Sequence, residues 1–446
     1  MTNNITVVDA LMGTGKSSWA IQWMKEHKEE RIIYVTPYRD EIKRVRNAIG
    51  CKSYTPTNKG KEHRKIDDLK ELLEKQANII VCTHALFLMF NEEIKELILE
   101  GGYTIILDEV VDAMREYKSK RNQEYDEDDY EYENDTDNFK VSLNRDMFSI
   151  DSDRYVHWTG FDLDALEVKH PYYREMRELA LQHRLVSYNG RLIWMYPPEI
   201  FRECKQMYIL TYMFEASIMR YYFDYLKIDY SRMSVDYING AYMLVDYFKP
   251  DTSIFAPMIN IVSNYDFRNN PHFDYKSLSS SWFDKAKNNS SRQAQLRTLK
   301  NNMRNLLMNR WEVKCSNSNA IWTTLKKAKN KIAPRGYKDS FVSVNLRATN
   351  DYRQARYIIY AVNINPNGIV KGFLASKGIS IDSDSYALSE MLQFIWRTRI
   401  RDGESIDIYI PSPRMKKLLC CWLGVTCPDE RLTNDLDRLT NKSLGH

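Results

Sequence analysis

Apolar residues fall in short runs along this chain, separated by stretches in which they recur three or four positions apart. Over the first 110 residues the runs Ile5–Asp9, Arg31–Val35, Asn78–Cys82 and Tyr103–Leu107 read as strands. Ser18–Met24 and Asp67–Gln76, the latter with apolar Leu69, Leu72 and Leu73, read as helices between them. Short apolar strands alternating with helices predict a mostly parallel sheet covered by helices. From about Arg115 the alternation breaks. An acidic tract and a Tyr- and Trp-rich region extend to about Lys205, and strand texture resumes at Gln206–Leu210. The pattern predicts a first α/β domain over residues 1–225 with an insertion at about 115–205. In residues 226–446, Trp282–Arg310 reads as helical. Phe341–Val344, Tyr357–Val362 and Ile406–Ile410 read as strands, and Ala387–Arg399 as a helix closed by the Asp402-Gly403 turn. No internal repeat is evident.

A length of 446 residues suits three domains, or two with an insertion. No apolar run is long enough to cross a bilayer and the first strand begins at Ile5, so the expected location is the cytoplasm, without a membrane partner. The seven cysteines are scattered and none forms a C-x-x-C pair, which argues against a zinc ribbon and for reduced thiols. The net charge of +4 conceals an asymmetry: nine acids between Glu124 and Asp137, with no lysine or arginine among them, set against a strongly basic remainder. That balance suits a polyanionic partner; a solvated surface with a disordered acidic loop accounts for it equally.

The first strand runs into Ala10-Leu11-Met12-Gly13-Thr14-Gly15-Lys16-Ser17 and then a helix. Glycines let backbone N–H groups close on phosphate oxygens, and the helix N-terminus faces them. The spacing gives Gly13, Thr14, Gly15, Lys16 and Ser17 to a nucleotide, with Lys16 on the outer phosphates and Ser17 on Mg²⁺. Thr104–Leu107 ends in Asp108 and Glu109, the first placed for Mg²⁺ and the second to polarise water. Thr36 and Arg39, and Thr83 and His84, follow two further strands, where they would contact nucleic-acid phosphates or merely start helices. Gln393, Arg397 and Arg401 stand at i, i+4 and i+8, one face of a continuous helix, suited to a triphosphate or to a basic helix end. Trp282, Trp322 and Trp396 suit base stacking or a core, with the core the expectation.

In this order the motifs resemble those of a superfamily 2 helicase of the DEAD/DEAH-like kind encoded by bacteriophages. Ala10–Ser17 resembles motif I and Asp108-Glu109 motif II. Leu210–Met213 lies at motif III, from which Tyr212 and Met213 depart, and Val344–Asn350 resembles motif V. Gln393–Arg401 resembles motif VI, with Arg399 or Arg401 as its second arginine; the common face favours Arg401. The resemblance implies two tandem RecA-like P-loop domains, ATP and Mg²⁺ as cofactors, and catalysis by Lys16, Glu109, Arg397 and Arg401. Gln393 would join the ATP site, and Asn345, Arg347 and Thr349 would hold a nucleic-acid strand, single-stranded DNA before RNA. Replication or recombination of phage DNA is the implied setting, with the insertion as a dock for a replication protein. Two rivals share the P-loop: a terminase-like packaging ATPase, which needs a nuclease carboxylate cluster, and an ATP-dependent nucleic-acid binder that does not unwind.

Overall fold

The protein is described by a computed structural model covering residues 4–60, 63–119, 135–163, 171–315, 318–344 and 352–430. It is an α/β protein with mostly parallel sheets, and it divides into two compact units. The first runs through Lys249 and also takes Asn367–Ile381; the second takes Pro250–Pro366 and the chain from Asp382 onward.

Among the described residues, twelve strands belong to the first unit: β1 (Ile5–Asp9), β2 (Ile32–Thr36), β3 (Ile79–Thr83), β4 (Thr104–Asp108), β5 (Met114–Glu116), β6 (Phe148–Ile150), β7 (Val156–Trp158), β8 (Leu185–Tyr188), β9 (Arg191–Met195), β10 (Gln206–Thr211), β11 (Ser231–Ile238) and β12 (Ala241–Asp246). Seven form the main sheet in the order β12-β11-β1-β10-β4-β2-β3, parallel except for the edge strand β12. Its central strands are apolar on both faces because helices cover both. Side-chain alternation divides them: Val7, Ile33, Ile80, Ile105 and Ile209 enter one core, and Val8, Tyr34, Val81, Ile106 and Leu210 the other.

The sheet does not end near residue 225. β11 pairs with β1 and turns at Asn239-Gly240 into β12, so the first unit continues through a hairpin that the hydrophobic pattern did not suggest. The inserted region carries its own antiparallel sheet, β5-β9-β8, and the hairpin β6–β7. Phe148, Tyr172, Leu185 and Trp194 join the same core as Val7 and Ile33, so the insertion is built onto one helical face of the main sheet. Helix Gly368–Ser376, late in sequence, adds Val370, Phe373 and Leu374 to that core, and Tyr188 packs on Gly372. Residues 120–134, which hold most of the Glu124–Asp137 acidic tract, lie outside the described residues, and its end falls in helix Asp135–Asn144.

The second unit has a four-stranded parallel sheet in the order β13-β16-β15-β14, from β13 (Ile259–Val262), β14 (Ala320–Thr323), β15 (Tyr357–Tyr360) and β16 (Ile406–Tyr409). Phe341–Val344 is not a strand: Phe341 makes one isolated bridge to Trp322. The helical stretch 282–310 is broken between Ser280–Ala286 and Ser290–Asn305, where the Asn289 side chain accepts from Arg292 N and starts the second helix. Trp282, Trp322 and Trp396 are all buried, as a core role requires. Among the described residues, no helix is long and apolar enough to cross a membrane.

Candidate nucleotide site and nucleic-acid surface

β1 delivers the glycine-rich loop to the N-terminus of helix α1 (Lys16–Glu26). Gly13 and Gly15 have φ of 84° and 99°, a left-handed backbone that costs glycine little. Thr14 Oγ1 donates to Leu11 O at 2.8 Å and tightens the loop. Lys16 Nζ turns into it, donating to Ala10 O at 2.5 Å and Leu11 O at 2.8 Å. Burial pushes its pKa below the usual range, with Glu109, Asp9 and Asp108 opposing.

Ser17 Oγ donates to Asp108 Oδ1 at 3.1 Å, although 91 residues separate the two. The second Asp108 oxygen accepts from Tyr34 OH at 2.7 Å. Burial raises the Asp108 pKa against these two bonds, and burial together with Asp108 pushes the Tyr34 phenol well up. Glu109 follows in a left-handed turn, φ 77°, its N–H bonded to Leu210 O at 2.8 Å. A hydroxyl and a carboxylate at this separation form a hard oxygen donor set that fits Mg²⁺.

Asp9, 2 % exposed, joins three segments. It accepts from Met213 N at 2.9 Å and Phe214 N at 3.0 Å, and from Arg232 Nη2 on β11 at 2.7 Å. Met213, which departs from the helicase pattern, sits at φ 58° with its N–H on this carboxylate. Asp9 was not among the expected site residues, though an acid ending a buried strand just before the loop was the available signal.

The other expected positions vary. Thr36 and Thr83 pair at the ends of β2 and β3. Thr36 is fully buried, leaving it no surface for a strand, and Thr83 Oγ1 caps the next helix through Leu86 N at 3.3 Å. His84 Nε2 lies 2.9 Å from Asp108 O, and Arg39 is exposed. Asn345, Arg347 and Thr349 lie outside the described residues.

Gln393, Arg397 and Arg401 do not share one helix face. Helix Ser383–Ile395 stops before both arginines, and a 3₁₀ turn takes Arg399–Asp402. Trp396 caps the helix, and beyond it Thr398 is extended, with its hydroxyl donating to Ile395 O at 2.7 Å. The common-face case for Arg401 therefore fails. A different distinction separates the candidates. Arg399 is held by Ser405 O at 2.6 Å and by Glu404, whereas Arg401 is exposed.

Sequence reading did not single out a basic cleft in the second unit. Residues 285–338 hold fourteen lysines and arginines against one acid, Glu312, so the charge is not self-neutralised. Within this region Lys300, Arg304, Arg335 and Lys338, with Asn301 and Asn330, line a cavity of about 610 Å³. Counting charge by segment rather than for the whole chain was the signal available.

The acids a nuclease would need are occupied. Asp382 caps a helix, Asp384 pairs with Arg414 at 2.7 Å, and Asp407 with Arg356 at 3.0 Å. Among the described residues, the one cluster of metal-ligating side chains is His63, Asp68 and Glu71, where Lys59 already pairs with Asp68 at 2.6 Å.

Fold and loop together define a two-unit α/β protein with a glycine-rich loop at the end of its first strand. Residues 254–423 match the family described as the YonV C-terminal Rossmann-like domain. The chain is 36% identical over 436 residues to the SPbeta prophage-derived uncharacterized protein YonV of Bacillus subtilis (strain 168), covering 94% of this chain and 98% of that one. It belongs to the YonV family. Among solved structures it is similar to an XPD helicase (TM-score 0.44, 12% identity, 95% of this chain and 96% of that one). It is also similar to S. tokodaii Xpd4 (0.48, 10%, 95% of each). These likenesses are too loose to transfer residues.

Proposed function

We propose that this protein is an ATP-dependent nucleic-acid helicase or translocase, acting on single-stranded DNA in phage replication or recombination. The observation that carries the reading is the 3.1 Å bond between Ser17 and Asp108, which joins the glycine-rich loop to the acid-ended strand. This proximity of loop, lysine, hydroxyl and carboxylate supports a phosphate-and-metal site there. Ser17 and Asp108 would hold Mg²⁺, whose charge would offset that developing on the transferred phosphoryl group. Lys16 exchanges its two carbonyl partners for phosphate oxygens. Glu109, beside Asp108, orients water. Gln393, Arg397 and one of Arg399 or Arg401 contribute from the second unit, and the arginines stabilise transition-state charge.

The basic cleft and exposed Arg39 supply sequence-independent phosphate contacts, which would accept RNA as well as DNA. A terminase reading is disfavoured by the structural pairing of Asp382, Asp384 and Asp407. The test is ATP hydrolysis with and without single-stranded DNA, in wild type and Arg397→Ala. DNA stimulation that is lost in the variant, with ATP binding retained, supports a two-unit motor. Turnover indifferent to DNA, or a variant equal to wild type, removes it. Strand displacement then separates a helicase from a binder that does not unwind.

A further inference from the structure

The phosphate site has two sides within the main sheet. β10 and β4, with Asp108 and Glu109, lie on one side of β1, and β11 and β12 lie on the other. The β11–β12 hairpin thus flanks β1 and its loop on the side opposite β10 and β4.

That hairpin presents two tyrosines there. Tyr237 and Tyr242 are direct cross-strand partners, with ring centroids 4.9 Å apart and planes at 56°. Strand alternation places both on the face that carries Val235 and Leu244, which pack into the core with Trp19 and Ala20 of α1. The Tyr242 ring lies on the phosphate loop: a Cβ added at Gly15 would stand 2.0 Å from ring atom Cε1. Gly15 is therefore required for close approach as well as for its positive φ.

Gln22 of α1 fixes this arrangement. Its Oε1 accepts from Tyr242 N at 3.0 Å and its Nε2 donates to Tyr242 O at 3.4 Å. The strand bearing the ring is thus tied to the helix whose N-terminus ends the loop. Tyr237 is 61% exposed, an aromatic surface beside a polar cradle with no core to fill.

We propose that Tyr242 and Tyr237 form the base-stacking platform for a nucleoside triphosphate held at the glycine-rich loop, with Gln22 as its positioning residue. This rests on the nucleotide reading above. Stacking uses the π-face, which every base has, so the platform accepts adenine and guanine alike. A lost stack weakens binding by about tenfold.

The test measures equilibrium binding of ATP and of inorganic triphosphate, each with Mg²⁺, to the full chain. Tyr237→Ala and Tyr242→Ala are each expected to weaken ATP about tenfold and leave triphosphate unchanged. Tyr237→Phe should retain wild-type ATP affinity, and Lys16→Ala should weaken both ligands. Tyr237→Ala decides if Tyr242→Ala fails to fold, because its exposed ring supports little packing. An unchanged ratio of ATP to triphosphate affinity in Tyr237→Ala overturns the platform and leaves the nucleotide site standing. Wild type that binds neither ligand overturns both.

Discussion

The loop at the end of β1 and the Gln393–Arg401 segment were both read from spacing, and the structure treats them differently. In the loop, neighbours in sequence become neighbours in space because a buried strand enters and a helix leaves. In the arginine segment, spacing places residues together only if the helix continues, and it stops at Ile395. A motif framed by a strand and a helix carries its own geometry. A periodicity argument depends on where the element ends, and here the backbone turns extended at Thr398.

The comparison predicts effects of graded size. Lys16→Ala should lower ATP turnover on the order of 10²-fold or more, because a preorganised charge at the phosphates is lost. Steady-state hydrolysis checks this; near-normal turnover would mean that the loop is only a structural turn.

In the second unit the expected large effect is on stability. Lys416 is fully buried and pairs with Asp429 at 2.8 Å. Burial alone would raise the Asp429 pKa, but Lys416, with bonds from Asn264 and Ser263, holds it below the usual range. Asp429→Asn should cost about 3 kcal/mol by leaving a buried charge unpaired. Because the folded pKa is depressed, the stabilisation is complete well above the unfolded value of about 3.9 and disappears below the folded one. Urea denaturation against pH should show the variant losing less stability than wild type as acid is added.

Removing Lys300, Arg304, Arg335 and Lys338 together by alanine should weaken single-stranded DNA binding and flatten its salt dependence. Four lost phosphate contacts reduce the slope of log affinity against log salt by about 3. A titration at several salt concentrations reads this, and an unchanged slope would place the strand elsewhere. The smallest effect is expected for Thr398→Val, which loses the bond to Ile395 O and about 1 kcal/mol. If its melting temperature matches wild type, the turn after the helix is held by packing rather than by that hydroxyl.

The first four strands were legible to within a residue because each is an apolar run entering a sheet covered on both faces. β11 and β12 were harder. Polar residues interrupt β11 and several side chains of both strands stay exposed, although Ala241–Val245 is an apolar run and Asn239-Gly240 before it is a hairpin signal. The second unit's Phe341–Val344 has strand composition but gains only a single bridge.

The sequence by itself determined the glycine-rich loop, the acid-ended strand, the alternating α/β plan and the presence of an insertion. These follow from local chemistry: positive φ at glycine, β-branched runs, and carboxylates that interrupt them. Tertiary structure alone decided that Ser17 meets Asp108, that Asp9 holds Met213, Phe214 and Arg232, and that Tyr242 covers Gly15. Those contacts join residues from 91 to more than 220 positions apart. Strand order and register set such distances, and neither is written in any local pattern.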